Sequence, residues 1–142
     1  MFKIYFASNR REMREKKIIV VDDDESIRKT FFLILSRNHK VFLAKDADEA
    51  LSCFHKLKID LVIADVKLPG KNGLEMVAEL RKSGYRGEVI LISAYPDLID
   101  MQLLQQLSIG HFFVKPLDLK ALNHSIDCLL ALEKNKEKNQ IL

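Results

Sequence analysis

Five short apolar runs punctuate the chain: IIVV at 18–21, VFLA at 41–44, LVIA at 61–64, VILI at 89–92 and HFFV at 111–114. Most are continuous, as strands covered on both faces would be. Between them, apolar residues recur at helical spacing. Ile27, Phe31, Ile34 and Leu35 form one stripe, Ala47, Ala50, Leu51 and Phe54 a second, and Leu74, Val77 and Ala78 a third. Ile99, Leu103, Leu104 and Leu107 share a row within 97–107, and Leu119, Leu122, Ile126, Leu129 and Leu130 mark a long last helix. Asp46 with Glu49 reads as a D-x-x-E capping pair, Asp118 as the cap of the last helix, and Asp24 and Ser26 as helix-start residues. LPGKNG (68–73) and KSGYRG (82–87) are turn-rich, with Pro69 and Gly73 shaping the first of these connections. Strand then helix, five times over, predicts an α/β domain with a parallel sheet and helices on both faces.

Composition changes this picture little. The chain has 142 residues, 48% of them hydrophobic, which suits one domain with a real core. No apolar stretch approaches the roughly 18 residues of a membrane span. The net charge of +3 is uneven. Residues 1–17 hold six basic residues (Lys3, Arg10, Arg11, Arg14, Lys16, Lys17) and two acids (Glu12, Glu15), so the basic character belongs to an N-terminal arm. A solvated tail is the favoured reading of residues 1–16, ahead of a nucleic-acid contact, and Met13 is a candidate start site. The arm lacks an export signal's long apolar segment. Residues 134–142 read as a helix end that frays into a polar tail. Cys53 and Cys128 lack metal-ligand spacing and are expected to be buried, reduced thiols of a cytoplasmic protein. His39, His55, His111 and His124 share no ligand spacing and are expected on the surface or in packing.

The chemistry lies where the apolar runs stop. In an open parallel sheet, ligands bind beyond the carboxyl ends of the strands. The first run releases Asp22 and Asp23 there, the third Asp65, the fourth Ser93 and the fifth Lys115. Three neighbouring carboxylates repel one another, so two should have raised pKa values unless a cation intervenes. Hard oxygen donors suit Mg²⁺, with Mn²⁺ as the second choice. A metal, a lysine and a hydroxyl are also what a transferring phosphoryl group needs. A carboxylate can act as its nucleophile, and Asp65, alone at its strand end, is the best candidate.

IIVVDDDESIR, DLVIADVKLPGKNG, VILISA and FFVKP resemble, in order and spacing, the motifs of bacterial response-regulator receiver domains, from about Lys17 to about Glu133. The resemblance implies a flavodoxin-like, doubly wound (βα)₅ fold with strand order 2-1-3-4-5. It implies a receiver domain over 17–133 that takes a phosphoryl group onto Asp65 from a histidine kinase or histidine phosphotransfer protein. Asp22, Asp23, Asp65 and the Lys67 carbonyl would hold Mg²⁺, and Ser93, Ala94 and Lys115 would bind the phosphoryl group. Ser93 and Phe112 would form the switch, Lys67 and Tyr95 would tune phosphoryl lifetime, and the Lys115–Pro116 bond would be cis. Phe112 lacks a hydroxyl, and Ser108 stands where the family often has Gly.

The expectation is a stand-alone phospho-switch that signals by protein contact and has no catalysis beyond its own phosphorylation and dephosphorylation. A second apolar row, with Leu98 and Met101 before the fifth strand and Ala121, Cys128 and Leu132 after it, marks a partner or homodimer face. Competing readings are a phosphate-independent interaction module and an aspartyl-phosphate phosphatase. The phosphatase is disfavoured because Lys67 stands where such enzymes carry a second Asp. A dinucleotide enzyme lacks its G-x-G-x-x-G.

Overall fold

The computed structural model describes residues 15–141, with side chains through Ala131. Five strands, β1 (Lys17–Val21), β2 (Lys40–Ala44), β3 (Leu61–Asp65), β4 (Glu88–Ser93) and β5 (His111–Val114), form one sheet in the order β2-β1-β3-β4-β5. Every pairing is parallel. The helices are α1 (Glu25–Leu35), α2 (Ala47–Phe54), α3 (Gly73–Lys82), α4 (Met101–Gln106) and α5 (Leu119–Ile141). The architecture is the flavodoxin-like one.

Alternate strand residues feed two cores. Ile19, Val21, Val62, Ala64, Val89 and Leu91 pack under α2, α3 and α4. Ile18, Val20, Leu61, Ile63, Ile90 and Ile92 pack under α1 and α5. Full burial of each Val, Leu or Ile among them contributes about 1.5–3 kcal/mol, so β1, β3 and β4, enclosed on both faces, are the fixed frame. The edge strands β2 and β5 are only half-buried.

Caps set the helix starts. Asp24 accepts the Ser26 N–H, Asp46 the Glu49 N–H and Asn72 the Glu75 N–H. Asp118 accepts from both Lys120 and Ala121. Ser26 therefore lies inside α1 as a donor; it is not a cap.

Other expectations need correcting. Residues 97–107 do not form one helix: a 3-10 turn at Pro96–Leu98 precedes α4, which restarts behind the Asp100 cap. The α3 stripe is larger than its sequence row, because Met76 and Leu80 are buried with Val77. Leu119 is 39% exposed and leaves the α5 row. Cys53 is half-buried and Cys128 exposed, both as free thiols. Cys128 Sγ lies 3.6 Å from His124 Nε2, since residues four apart share a helix face. The backbone of α5 is helical to Ile141. Arm residues 1–14 and the Leu132 side chain lie outside the described residues.

Candidate metal and phosphoryl site

The strand register gathers the candidate residues at one edge. Val21 pairs with both Ala44 and Ala64, Asp65 with Ile92, and Ser93 with Val114. Asp22, Asp65, Ser93 and Lys115 are thus the last residue of a strand or the one just after it. The sheet pairing carries on at this edge, with Asp22 N–H donating to the Ala44 carbonyl and Lys115 N–H to the Ser93 carbonyl.

Asp22, Asp65 and Ser93 are buried, while Asp23 is exposed. Lys115 Nζ reaches Asp65 Oδ2 at 2.7 Å and Asp22 Oδ2 at 3.1 Å. The second oxygens are held by backbone: Asp24 N–H donates to Asp22 Oδ1 at 2.9 Å, and Lys67 N–H to Asp65 Oδ1 at 3.1 Å. Burial pushes the Asp22 carboxyl above its ordinary range, against the pull of the Asp24 N–H and Lys115. For Lys115, burial lowers the ammonium, but Asp65 and Asp22 outweigh it and leave the net shift upward. Repulsion from Asp65 adds to the upward shift of Asp22 but is the smallest of its causes.

Carboxylate oxygens of Asp22, Asp23 and Asp65 lie within 4.8 Å of one another. Ligands on opposite sides of a Mg²⁺, each about 2.1 Å away, would stand roughly 4.2 Å apart. The donors are all hard oxygens, and three carboxylates against one ammonium leave an excess of two negative charges. The residues therefore fit a divalent, oxygen-preferring cation.

The rim is built from the two following loops. Ser93 Oγ accepts the Tyr95 N–H at 2.9 Å, and Ala94 beside it is small and exposed. Lys67 Nζ lies 5.3 Å from the centre of the Tyr95 ring, joining the loops after β3 and β4. Phe112 is half-buried against the core beneath α3 and α4. The Lys115–Pro116 peptide is cis, and Ser108 has φ 56°.

Two contributors went unassigned in the sequence. Arg28 Nη1 donates to the Asp22 carbonyl at 2.7 Å, tying α1 to the β1 tip; only its helical offset from the acids could have hinted at it. Gly73 reads in the sequence as a turn former only, yet a Cβ there would lie 2.3 Å from the Asp65 carbonyl oxygen. Its N–H donates to the Val66 carbonyl at 2.8 Å. Only glycine lets α3 start this close to the β3 tip.

Among known proteins, the family model described as the response regulator receiver domain matches residues 18–127. The chain is 29% identical over 97 residues to sporulation initiation phosphotransferase F of Bacillus subtilis, covering 68% of this chain and 78% of that protein. It is 32% identical over 94 residues to the transcriptional regulatory protein GlrR of Escherichia coli, covering 66% of this chain but only 21% of GlrR. Among solved structures, the response regulator TrrA of Thermotoga maritima, in complex with Mg²⁺–BeF, superposes with a TM-score of 0.71. That match is 30% identical and covers 80% of this chain and 98% of TrrA. No described helix is long and apolar enough to cross a membrane.

Proposed function

Because the chain belongs to the response regulator receiver domain family of two-component systems, we propose that it is a phosphorylation-dependent switch with Asp65 as the phosphoryl acceptor. The observation that carries this reading is Lys115 Nζ, 2.7 Å from Asp65 Oδ2 and 3.1 Å from Asp22 Oδ2, above a cluster of three carboxylates. An oxygen of Asp65 attacks the phosphorus of a phosphohistidine on a histidine kinase or phosphotransfer protein. The new O–P bond forms as the P–N bond breaks, and the imidazole leaves. Asp22, Asp23, Asp65 and the Lys67 carbonyl would hold Mg²⁺, which supplies charge neutralisation for the phosphoryl oxygens; Mn²⁺ would serve in its place.

Once the phosphoryl group is on Asp65, Lys115 pairs with one of its oxygens and Ser93 Oγ, beside Ala94, donates to another. Ser93 Oγ also accepts the Tyr95 N–H, so its movement toward the phosphoryl group draws the loop after β4 with it. Phe112, which packs in the same core as the α4 residue Leu104, adjusts with it. The equilibrium between two conformations then moves. The readout surface is the α4–β5–α5 face, where Leu98 is 82%, Met101 70% and Val114 46% exposed. A downstream protein or a second copy of this chain docks there, in the cytoplasm. Water slowly removes the phosphoryl group, and Lys67 and Tyr95 set the rate of loss.

Intact mass after incubation with acetyl phosphate and Mg²⁺ tests the assignment. A gain of one phosphoryl group, absent with a chelator and in Asp65→Asn, supports it. Failure to gain mass and failure to bind beryllofluoride would together leave a phosphate-independent interaction module.

A further inference from the structure

Arg81, half-buried in the last turn of α3, donates to four backbone carbonyls. Its Nη1 reaches Tyr85 O and Gly87 O, both at 2.9 Å, in the loop before β4. Its Nε reaches Leu107 O at 2.8 Å and its Nη2 reaches Ser108 O at 3.4 Å, where α4 ends. The Tyr85 ring lies 5.5 Å from the guanidinium and packs edge-on against Phe54 at 5.0 Å. The planar guanidinium fork suits several fixed acceptors at once.

The two ends of α4 are held very differently. At its C-terminal end, the Leu107, Ser108 and Ile109 N–H groups bond back to Leu103, Gln105 and Leu104. Ser108 takes the left-handed conformation there, and Arg81 donates to the Leu107 and Ser108 carbonyls at the helix end. Arg81 in turn rides on α3, whose first residue is pressed against the Asp65 carbonyl. At the N-terminal end stand a 3-10 turn, the Asp100 cap, and the exposed Leu98 and Met101. Within α4 only Leu104 is buried.

We infer that Arg81 is a positioning residue of the switch, clamping the C-terminal end of α4 to α3 so that the helix answers phosphorylation by pivoting about residues 107–108. This rests on the phospho-switch reading above. The pull of Ser93 on a phosphoryl group reaches α4 through residues 94–100, at its unclamped end. With the other end fixed, that pull becomes rotation of Leu98 and Met101; without the clamp, it dissipates as fraying.

Hydrogen–deuterium exchange of the full chain, with and without Mg²⁺ and beryllofluoride, tests this on wild type, Arg81→Gln and Arg81→Lys. Without beryllofluoride, Arg81→Gln should speed exchange at residues 107–109 about ten-fold or more while β1, β3 and β4 stay protected. With it, wild type should change across 96–103 and hold 107–109. Arg81→Gln should bind beryllofluoride within about two-fold of wild type, as distant sites do, yet lose the localised change. Arg81→Lys should recover part of it. A wild-type response in Arg81→Gln, or faster exchange spread evenly over the strands, would overturn the inference. Should Arg81→Gln not fold, Arg81→Lys decides: intermediate exchange at 107–109 supports the clamp, and full protection there refutes it. A wild type indifferent to beryllofluoride would sink the phospho-switch reading, while the metal-free arm still reports on the clamp.

Discussion

Where the strands begin, Asp60 Oδ2 accepts the Lys17 N–H at 2.8 Å, and its own N–H and carbonyl pair with Lys17 and Glu88. Beside it, His39 Nδ1 accepts the Lys16 N–H at 3.4 Å. Where the strands end, Asp22 and Asp65 share one ammonium, and Asp23 stands exposed next to them. Both ends draw polar side chains inward: Asp60 and His39 are half-buried, and Asp22 and Asp65 are buried. At the first, they are consumed in closing off backbone; at the second, charge is left over and points into a common space. Polar side chains drawn into a strand end therefore do not by themselves mark a site. An uncompensated surplus does.

The sharpest break of this comparison is Asp65→Asn, which should abolish phosphoryl uptake in the mass assay while leaving the fold intact. Lys115→Met should come next. It leaves two buried carboxylates without a counter-ion, at a cost of about 3 kcal/mol in chemical denaturation without metal. Mg²⁺ should return much of that loss, which no metal could do at the opposite end.

Asp60→Ala should cost about 1–2 kcal/mol through the orphaned Lys17 N–H and leave phosphoryl uptake unchanged. Uptake that fell with it would erase the distinction between the two ends. Breaking the Lys67–Tyr95 stack with Tyr95→Ala should open the phosphoryl group to water. A cation–π contact of about 0.5–1 kcal/mol corresponds to a two- to five-fold faster loss of the added mass; slower loss would reverse the assignment.

The smallest effect concerns His39. Burial lowers its pKa from the ordinary 6.5, against the pull of Asp127, Glu15 and Asp60. The folded state thus favours the neutral ring, whose Nδ1 accepts from Lys16. Its contribution to stability is complete above about pH 6.5 and is lost as pH falls below that, through the folded-state value. His39→Gln should flatten the stability profile in that window, measured by denaturation from pH 7.5 to 5.

Much of this was legible in the sequence. The strand ends carried Asp22, Asp65, Ser93 and Lys115 next to continuous apolar runs, so parallel topology alone predicted a shared edge. Caps such as Asp46 and Asp118 declared themselves by local spacing. What escaped depends on tertiary approach. Gly73 reads as a turn residue until Asp65 is placed beside it. Arg81 looks like a solvated helix-end charge, because its acceptors come from residues 85, 87, 107 and 108. Cys128 was expected to be buried and is exposed, because a row of mixed Ala, Cys and Leu does not say which side of α5 meets the sheet.

The interleaved strand order has a consequence for biosynthesis. The candidate site draws on residues 22, 65, 93 and 115, each delivered by a different strand. A growing chain already contains both buried acids when Asp65 has been made, but lacks their ammonium for another fifty residues. A nascent polypeptide halted before β5 should therefore take up no phosphoryl group from a small-molecule donor. On the phospho-switch reading, competence to take up a phosphoryl group would arrive late in synthesis, once the strand that delivers Lys115 has been made.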